Sequence, residues 1–470
     1  MAILLTLPLL MGSVPYASYG YGTINDEVFP SLAGAAPVRL ITGADLGVGA
    51  LRNPRDFRFG KDGLIYLADT GNHRILVLDG DLSVLRVIDG FDRDGVRETF
   101  SSPEGVFARA DGTLYIADTQ NGRIVVLDKD GSLLTLMDQV QLTGSTLTFR
   151  PQKLGVDGAG RVYVVAGGST EGLIQLTDEG EFVRFFGSNR VRPNPIEIIY
   201  RLFLTRTQRQ SREQFVPTEY SNLHIDDIDL VYTTTRNVRE GQLKRLNALG
   251  DDILLRGDTG SRAVFGDLML TPRNMSRTAQ FMSVCLDADE NIYALDNATG
   301  KVFVYDKTGY MKFMFGGKGD QMGLFADPHA VAEKDGTIYV LDAGRGTVTQ
   351  FRLTEFGEKV LLANRLFLQG DFEESLEPWT EVARMDAGYE QAWYMIGNAY
   401  FGRKDYAAAM EYFELGYARG SYSRAFGELR DDWLRDNFAI LFILAAVGLI
   451  GLAVYVNVRR RQKAGRGKAA

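Results

Sequence analysis

The sequence of 470 residues has one cysteine, Cys285, and three histidines. One cysteine excludes an internal disulfide framework and any cysteine-based zinc site. There is no excess of basic residues either, since 52 Lys and Arg stand against 60 Asp and Glu, a formal net charge of −8. This mild acidity argues against a general nucleic-acid binder. Only 13 prolines accompany 52 glycines, without a collagen period, so the glycines indicate many tight turns.

What is present indicates a large folded protein. Apolar residues make up 45% of the chain and aromatic residues 11%, which excludes a disordered chain. A length of 470 residues predicts two or three domains with ample buried core.

The two ends of the chain predict where the protein resides. Residues 1–11 are apolar but too short to span a bilayer as a helix, and small, turn-forming residues follow them. Residues 1–18 are therefore expected to be a signal peptide, with a buried N-terminal strand as the alternative.

The C-terminal end carries the stronger signal. The stretch Phe438–Val458 is uncharged and long enough to cross a hydrocarbon layer of roughly 30 Å. The tail 459–470 is basic and contains no acidic residue. We therefore expect a single transmembrane helix at 438–458. Because Lys and Arg residues next to a membrane span favour the cytoplasmic side, we expect a cytoplasmic tail and an extracytoplasmic remainder. A buried core helix is the alternative.

A sequence unit that contains a tyrosine is repeated through the first three quarters of the chain. It is marked by tyrosines at nearly equal intervals within each of two groups, with a weaker copy between the groups: Tyr66, Tyr115 and Tyr163, then Tyr232, then Tyr293 and Tyr339. Each unit alternates short β-branched and aromatic runs with Gly, Asn and Asp turns. Six units of four short antiparallel strands predict a six-bladed β-propeller over residues 38–355. The fold class is thus mainly β.

The sequence motifs of these units resemble those of the NHL repeat. The second unit contains the motifs DGTLYIADT and NGRIVVLD, and the other units contain variants of these two motifs. An aspartate ends the second run of each well-matched unit: Asp69, Asp118, Asp296 and Asp342. These aspartates are expected to hold turns through side-chain-to-backbone hydrogen bonds, with a ligand role as the alternative.

The pattern becomes helical from residue 356. Two stretches align at a constant offset, with Ala363 opposite Gly397, Asp371 opposite Asp405, and Trp379 opposite Phe413. The second stretch also has Trp393, Ile396, Gly397 and Tyr400 in the order typical of the tetratricopeptide (TPR) repeat, which both stretches resemble. Residues 356–436 are therefore expected to form two TPR-like repeats and a capping helix.

An insertion follows the third unit. Apolar residues recur at helical spacing within residues 195–215, and arginines occupy more polar positions. This pattern predicts an inserted amphipathic helix that serves as a lid on the propeller, docks a partner or contacts lipid. The candidate docking residues are Arg201, Arg206 and Arg209.

Alignment on the tyrosines predicts which residues face the central channel. They are the first residues after each blade-opening position: Arg55, Glu104, Gln152, Ser221, Met282 and His329. Propeller lyases of the NHL type hold zinc with several histidines, but only His329 qualifies here, and a catalytic zinc needs about three ligands. Calcium-dependent lactonase propellers use oxygen ligands, which Glu104, Asn222 and Asp327 would supply. The channel and ligand-binding candidates are Arg55, Glu104, Gln152, Asn222 and His329; no catalytic or metal-binding residue is predicted.

The leading hypothesis is a non-enzymatic, membrane-anchored, extracytoplasmic binding or scaffold protein without a cofactor. The combination of domains resembles bacterial surface proteins often encoded near sugar ABC-transporter permeases. That resemblance implies a protein partner in the cell envelope, such as ABC-transporter components, and no nucleic acid. The alternatives are a calcium-dependent lactonase or other propeller hydrolase, and a purely structural spacer.

Overall fold

The computed structural model describes residues 14–21, 28–138, 140–142, 148–187, 219–236, 238, 241–254, 265–267 and 279–466. The chain divides into two compact units, one of Met1–Tyr21 with Val28–Leu361 and one of Gly22–Glu27 with Leu362–Ala470. Residues 1–13 of the expected signal peptide and the expected amphipathic helix 195–215 lie outside the described residues.

The first unit is a six-bladed β-propeller, as its repeats predict. A hairpin of β1 (Tyr19–Tyr21) and β2 (Val28–Pro30) precedes β3 (Ala35–Thr42). Blade 1 consists of β4 (Asp56–Phe59), β5 (Ile65–Asp69), β6 (Arg74–Leu78) and β7 (Val84–Ile88). A short 3-10 helix (Thr70–Asn72) joins β5 to β6, and a hairpin of β8 (Gly90–Arg93) and β9 (Val96–Thr99) follows the blade.

Three further blades follow along the chain. Blade 2 consists of β10 (Pro103–Ala108), β11 (Leu114–Asp118), β12 (Arg123–Leu127) and β13 (Leu133–Met137). Blade 3 consists of β14 (Pro151–Val156), β15 (Val162–Ala166), β16 (Leu173–Leu176) and β17 (Phe182–Phe186). In blade 4 the described strands are β18 (Tyr220–Ile225), β19 (Val231–Thr235) and β20 (Leu243–Leu246).

The last two blades complete the circle. Blade 5 consists of β21 (Phe281–Leu286), β22 (Ile292–Asp296), β23 (Lys301–Tyr305) and β24 (Met311–Gly316). Blade 6 consists of β25 (Pro328–Lys334), β26 (Thr337–Asp342) and β27 (Thr347–Leu353), and β3 is its outermost strand. β3 pairs antiparallel with β27, from Thr347 opposite Thr42 to Leu353 opposite Ala35. A strand from the N-terminal part of the propeller sequence therefore completes the last blade and closes the ring.

The core lies between neighbouring blades. The second strand of blades 1 to 5 is buried along its whole length, and its β-branched and aromatic side chains pack against the next sheet. Between blades 1 and 2, for example, Ile75 and Val77 share one apolar cluster with Val106 and Ile116. Burial of each large apolar side chain stabilises the fold by roughly 1.5–3 kcal/mol. The inner strands β4, β10, β14, β18, β21 and β25 contact one another in a closed circle.

The repeated aspartates hold turns, so the structural expectation for them is confirmed. Oδ1 of Asp118 accepts the backbone N–H of Ser101 (2.7 Å), and Oδ2 accepts from Asn121 and Arg123 (2.8 Å each). Asp69, Asp296 and Asp342 accept backbone N–H groups at the equivalent place in their blades. Each carboxylate thereby fixes the segment that leads into an inner strand.

The described part of the C-terminal region contains five helices. They are α1 (Glu355–Gln369), α2 (Phe372–Met385), α3 (Glu390–Gly402), α4 (Tyr406–Leu415) and α5 (Arg419–Arg466). From α2 onward each helix packs on the next along the chain. Trp379 and Phe413, which the sequence alignment places opposite each other, are both fully buried, and a Cβ added at Gly397 would lie 2.6 Å from the Phe413 ring. The absence of a side chain at Gly397 therefore allows α3 and α4 to approach closely.

The last helix is long and apolar enough to cross a membrane over part of Arg419–Arg460. Its first turns pack on α4 through the buried Ala425. Farther along, Phe438, Phe442 and Leu449 are each more than 60% exposed. An apolar helical surface of this kind could serve as a membrane anchor.

The inner strands of blades 2 and 3 approach so closely that we predict Gly105→Ala to destabilise the propeller. A Cβ at Gly105 would lie well inside contact distance of the Gln152 carbonyl oxygen and 3.0 Å from the Lys153 Cα. We expect a loss of about 1–3 kcal/mol in the free energy of unfolding, measured on the detergent-solubilised chain by denaturation followed through the β-sheet circular dichroism. The exposed Gly80, around which a Cβ meets nothing within 4 Å, provides the control Gly80→Ala; equal unfolding of both variants would contradict the packing.

Candidate functional site

A β-bulge recurs at one position in the inner strands. In blades 2 to 6 the register shifts by one residue near the start of the strand, which leaves one extra residue in each: Glu104, Gln152, Ser221, Met282 and His329. Arg55 occupies the same position in blade 1, where its N–H donates to the Ala68 carbonyl (3.0 Å). Bulges often redirect side chains next to functional sites. These six residues, called here the bulge ring, are the six that the tyrosine alignment predicts.

The bulge ring lies at the end of the propeller at which the chain leaves one blade and enters the next. Four antiparallel strands return the chain to the end at which the inner strand began, so every blade-to-blade connection is at this end. The hairpin β8–β9 belongs to one of these connections, and another spans residues 187–219, which include the docking candidates Arg201, Arg206 and Arg209 outside the described residues. At the opposite end, each first and second strand of a blade are joined by five residues or fewer.

His329 joins two neighbouring blades within the bulge ring. Its Nε2 lies 2.9 Å from Nη1 of Arg55 and 3.0 Å from Oδ2 of Asp327. Burial, together with the charge of Arg55, lowers the pKa of His329 to about 4, so the ring is neutral at neutral pH. The Asn297 amide donates to Oδ1 of Asp327 (2.7 Å). Burial alone would raise the pKa of Asp327, but Asn297 and His329 outweigh burial and lower it.

Lys153, one residue beyond the bulge ring, reaches from blade 3 to blades 1 and 2. Its Nζ donates to the carbonyls of Arg55 (2.6 Å) and Glu104 (2.8 Å) and lies 3.0 Å from Oδ1 of Asp56. Both charged side chains of this pair are less than 10% exposed. Burial lowers the pKa of Lys153, and Asp56 offsets part of that effect. Blade 2 has Gly105 at the equivalent position, so no side chain of that blade competes for the space.

Arg58 crosses the channel in the opposite direction. From blade 1 its Nη1 donates to the carbonyl of Leu154 in blade 3 (3.2 Å), and its Nη2 donates to that of Leu223 in blade 4 (3.1 Å). His224, at the same level, has its pKa lowered to about 3 by burial and by Arg58. Because Lys153 and Arg58 both span the inner strands below the bulge ring, they form a floor. The part of the channel between these two side chains and the bulge ring is called here the pocket.

Two polar atoms near this pocket lack a protein partner. Nε of Arg55 and Oδ1 of Asn222 are buried and have no hydrogen bond among the described residues. Asn222, one residue beyond the bulge ring, is only 1% exposed, and its Nδ2 donates to the Met282 carbonyl (3.1 Å). A buried polar atom without a partner is costly, so both atoms are available to a bound molecule or to water.

Metal ligands are not gathered in the described part of the chain, where no group of three or more His, Cys, Asp or Glu side chains could hold an ion. Of the three residues suggested for calcium, Asp327 has its two oxygens engaged by Asn297 and His329. The pocket is instead suited to hydrogen bonding and charge recognition.

The cross-channel residues Asp56, Arg58 and Lys153 were not among the predicted site residues. A signal for them exists in the sequence, because the inner strands DFRF and PQKLGV carry charged residues within otherwise buried, largely apolar runs. A charge in such a strand is rare unless it is paired, which indicates a partner across the channel.

Comparison with known proteins gives one family match. The model described as NHL repeat matches residues 51–78, which cover β4 to β6 of blade 1. No curated protein matches the chain.

Solved structures give only a distant likeness. A streptogramin B lyase is 11% identical and has a TM-score of 0.39, over 64% of this chain and 94% of that one. A catalytically inactive virginiamycin B lyase from Staphylococcus aureus with quinupristin is 11% identical, with a TM-score of 0.41, over 71% and 87%. A protein of unknown function from Bacteroides thetaiotaomicron is 14% identical, with a TM-score of 0.41, over 65% and 71%. Likenesses at this level carry no argument about function.

The buried pair of Lys153 and Asp56 predicts a large effect of Lys153→Met. Removal of the ammonium leaves the Asp56 carboxylate buried without its cation, which should cost about 3–5 kcal/mol in the free energy of unfolding. Lys61→Met is the matched control, because Lys61 pairs with the 98% exposed Asp227 (3.3 Å) and should cost less than about 1 kcal/mol. Denaturation of both variants checks this, and equal losses would show that Lys153 does not clamp the blades.

The lowered pKa of His329 predicts a stability loss in acid. Because the folded-state pKa of about 4 lies below the ordinary value near 6.5, the unfolded chain binds more protons between these values, and the folded state loses stability as the pH falls through that range. His329→Gln should therefore reduce the stability lost between pH 7 and pH 5 by about 2 kcal/mol. The exposed His73 supplies the control His73→Gln. An unchanged pH dependence in His329→Gln would refute the buried, neutral histidine.

Proposed function

We propose that this protein is a non-enzymatic binding protein, anchored to the membrane with its propeller on the extracytoplasmic side. The propeller receives a small ligand or a partner segment at the bulge ring, and the helical unit supplies a second contact surface. The observation that carries this proposal is the pair of cations that cross the channel below the bulge ring, together with the unpartnered Nε of Arg55 and Oδ1 of Asn222. Ligand sites are typically concave, with a few converging polar groups.

Anchoring by α5 is supported by the placement of its aromatic residues. Trp433 precedes the uncharged stretch and Tyr455 lies near its C-terminal end, and their separation in sequence corresponds to about 33 Å along a helix. Trp and Tyr favour the two membrane–water interfaces, which are separated by a similar distance. The basic residues from Arg459 onward then favour a cytoplasmic tail, and a signal peptide at the other end agrees with this orientation.

A TPR-like role of the helical unit is supported by its internal repetition. Positions that the repeat alignment places opposite each other have matching environments, as Trp379 and Phe413 do, and α5 packs on α4 as a capping helix would. Stacked helix pairs of this kind offer a concave surface to a protein partner. We propose an envelope complex as that partner, with ABC-transporter components as the first candidates.

Charge reversal in the inserted segment tests the partner. The triple variant Arg201→Glu, Arg206→Glu and Arg209→Glu should abolish copurification of an envelope protein cross-linked to the full chain in intact cells, since like charges would then face a surface complementary to arginine. The double variant Arg39→Glu and Arg352→Glu, at exposed positions on the outer strands of blade 6, is the control. Unchanged copurification by the triple variant would remove this docking surface.

The lactonase alternative is tested on the same material. We expect the purified full chain to contain no stoichiometric calcium or zinc and to turn over no lactone in a substrate screen, because the described residues gather no metal-ligand group. Stoichiometric calcium with lactone turnover that is lost in Glu104→Gln would replace the binding function with a hydrolase.

A further inference from the structure

We infer that the pocket at the bulge ring binds a small zwitterion, with an anionic group of the ligand on Arg55 and an ammonium group on Glu104. The inference rests on the proposed binding function and narrows the class of ligand to free α-amino acids and closely related amino carboxylates.

Arg55 has no ion-pair partner among the described residues, although its charge helps to lower the pKa of Asp327. No described carboxylate lies within the 4.0 Å that defines an ion pair with it, and its nearest side-chain neighbour is His329, 2.9 Å from Nη1. The buried Nε of Arg55 has no acceptor at all among the described residues. Arginine presents its donors as a planar fork that matches a carboxylate. A carboxylate on the ligand would give this guanidinium the direct ion pair that it lacks.

Glu104 is the opposite case on the neighbouring blade. Its side chain has neither an ion pair nor a hydrogen bond with the described residues, although it is half-buried at the bulge of β10. The nearby ammonium of Lys153 is already engaged by Asp56 and by two backbone carbonyls, one of them the carbonyl of Glu104 itself. The Glu104 carboxylate therefore remains available to a cation from outside the protein.

The two opposite charges occupy equivalent positions on adjacent blades yet do not pair with each other. A plain anion on Arg55 would also meet the negative charge of Glu104, and a plain cation on Glu104 would meet Arg55. A neutral ligand would leave both charges without a partner in a partly buried site, which is unfavourable. A ligand that carries both charges satisfies both residues at once.

The remaining groups favour a primary ammonium. Oδ1 of Asn222 is a buried acceptor without a donor among the described residues, and an ammonium group has three N–H donors to share between it and Glu104. Met282 adds apolar surface to the bulge ring, while the floor formed by Lys153 and Arg58 limits the ligand to a small molecule.

The test is calorimetric titration of the detergent-solubilised full chain with the standard α-amino acids. For any amino acid that binds, the matched probes are the same molecule without its amine and the same molecule without its carboxylate, and glucose is the neutral probe. We expect at least one amino acid to bind, each matched probe to bind at least tenfold more weakly, and glucose to give no heat. Arg55→Gln and Glu104→Gln should each weaken amino-acid binding at least tenfold, while the outer-strand control Arg39→Gln should leave it unchanged.

Comparison of each variant's affinity for the amino acid and for the matched probes separates ligand recognition from a merely structural effect. Arg55→Gln should bind the amino acid and its decarboxylated amine equally, and Glu104→Gln should bind the amino acid and its deaminated acid equally, because each variant lacks the residue that reads the deleted group. Circular dichroism of both variants checks that the propeller remains folded.

Three results would overturn the inference. If the deaminated acid binds as well as the amino acid and Glu104→Gln has no effect, the pocket is an anion site, and the proposed binding function stands. If no amino acid binds at millimolar concentration, the zwitterion is refuted, and the binding function is decided by the copurification experiment alone. If an amino acid binds but neither variant weakens it, the bulge ring is not the site, and the inference and the proposed location fail together.

Discussion

The pairing of β3 with β27 is the constraint on which the rest of the propeller depends. A strand from the beginning of the chain completes the last blade, and the circle of inner strands then has a fixed circumference. Closure also buries the apolar faces of blades 1 and 6 against each other, and β3 covers the edge of β27. Because the radius is fixed, side chains from opposite blades meet across the axis.

The contacts that cross the channel depend on the radius of the ring of inner strands. Lys153 reaches the blade-1 backbone and Asp56 across the space left by Gly105, and Arg58 reaches back to blades 3 and 4. In a wider ring both cations would be solvated, and the channel would be open from end to end. In blades 2 to 6 a bulge leaves one extra residue near this opening, and Arg55 takes the same position in blade 1, so the chemistry of the mouth is set by single residues that the fold itself does not specify.

The blade count could be predicted from the sequence because it is a local property repeated six times. The tyrosine spacing and the aspartates such as Asp118 report hydrogen bonds within one blade, and each blade repeats them. The ring positions of Arg55, Glu104 and His329 were also accessible, since alignment on the tyrosines transfers one blade's register to the next. The contacts that Lys153 and Arg58 make across the channel could not be predicted, because contacts between blades 1, 3 and 4 depend on the radius of the closed ring. The pairing of β3 with β27 joins the two ends of the propeller sequence, and no local pattern reports it.

The most direct test is an experimental map of the full chain that resolves side chains along the propeller axis. The account predicts six wedge-shaped sheets, with the Arg58 guanidinium within hydrogen-bonding distance of the Leu154 and Leu223 carbonyls and Lys153 against Asp56, so that the channel is closed below the bulge ring. A continuous water-filled channel, with Arg58 and Lys153 turned away from the opposite blades, would contradict it.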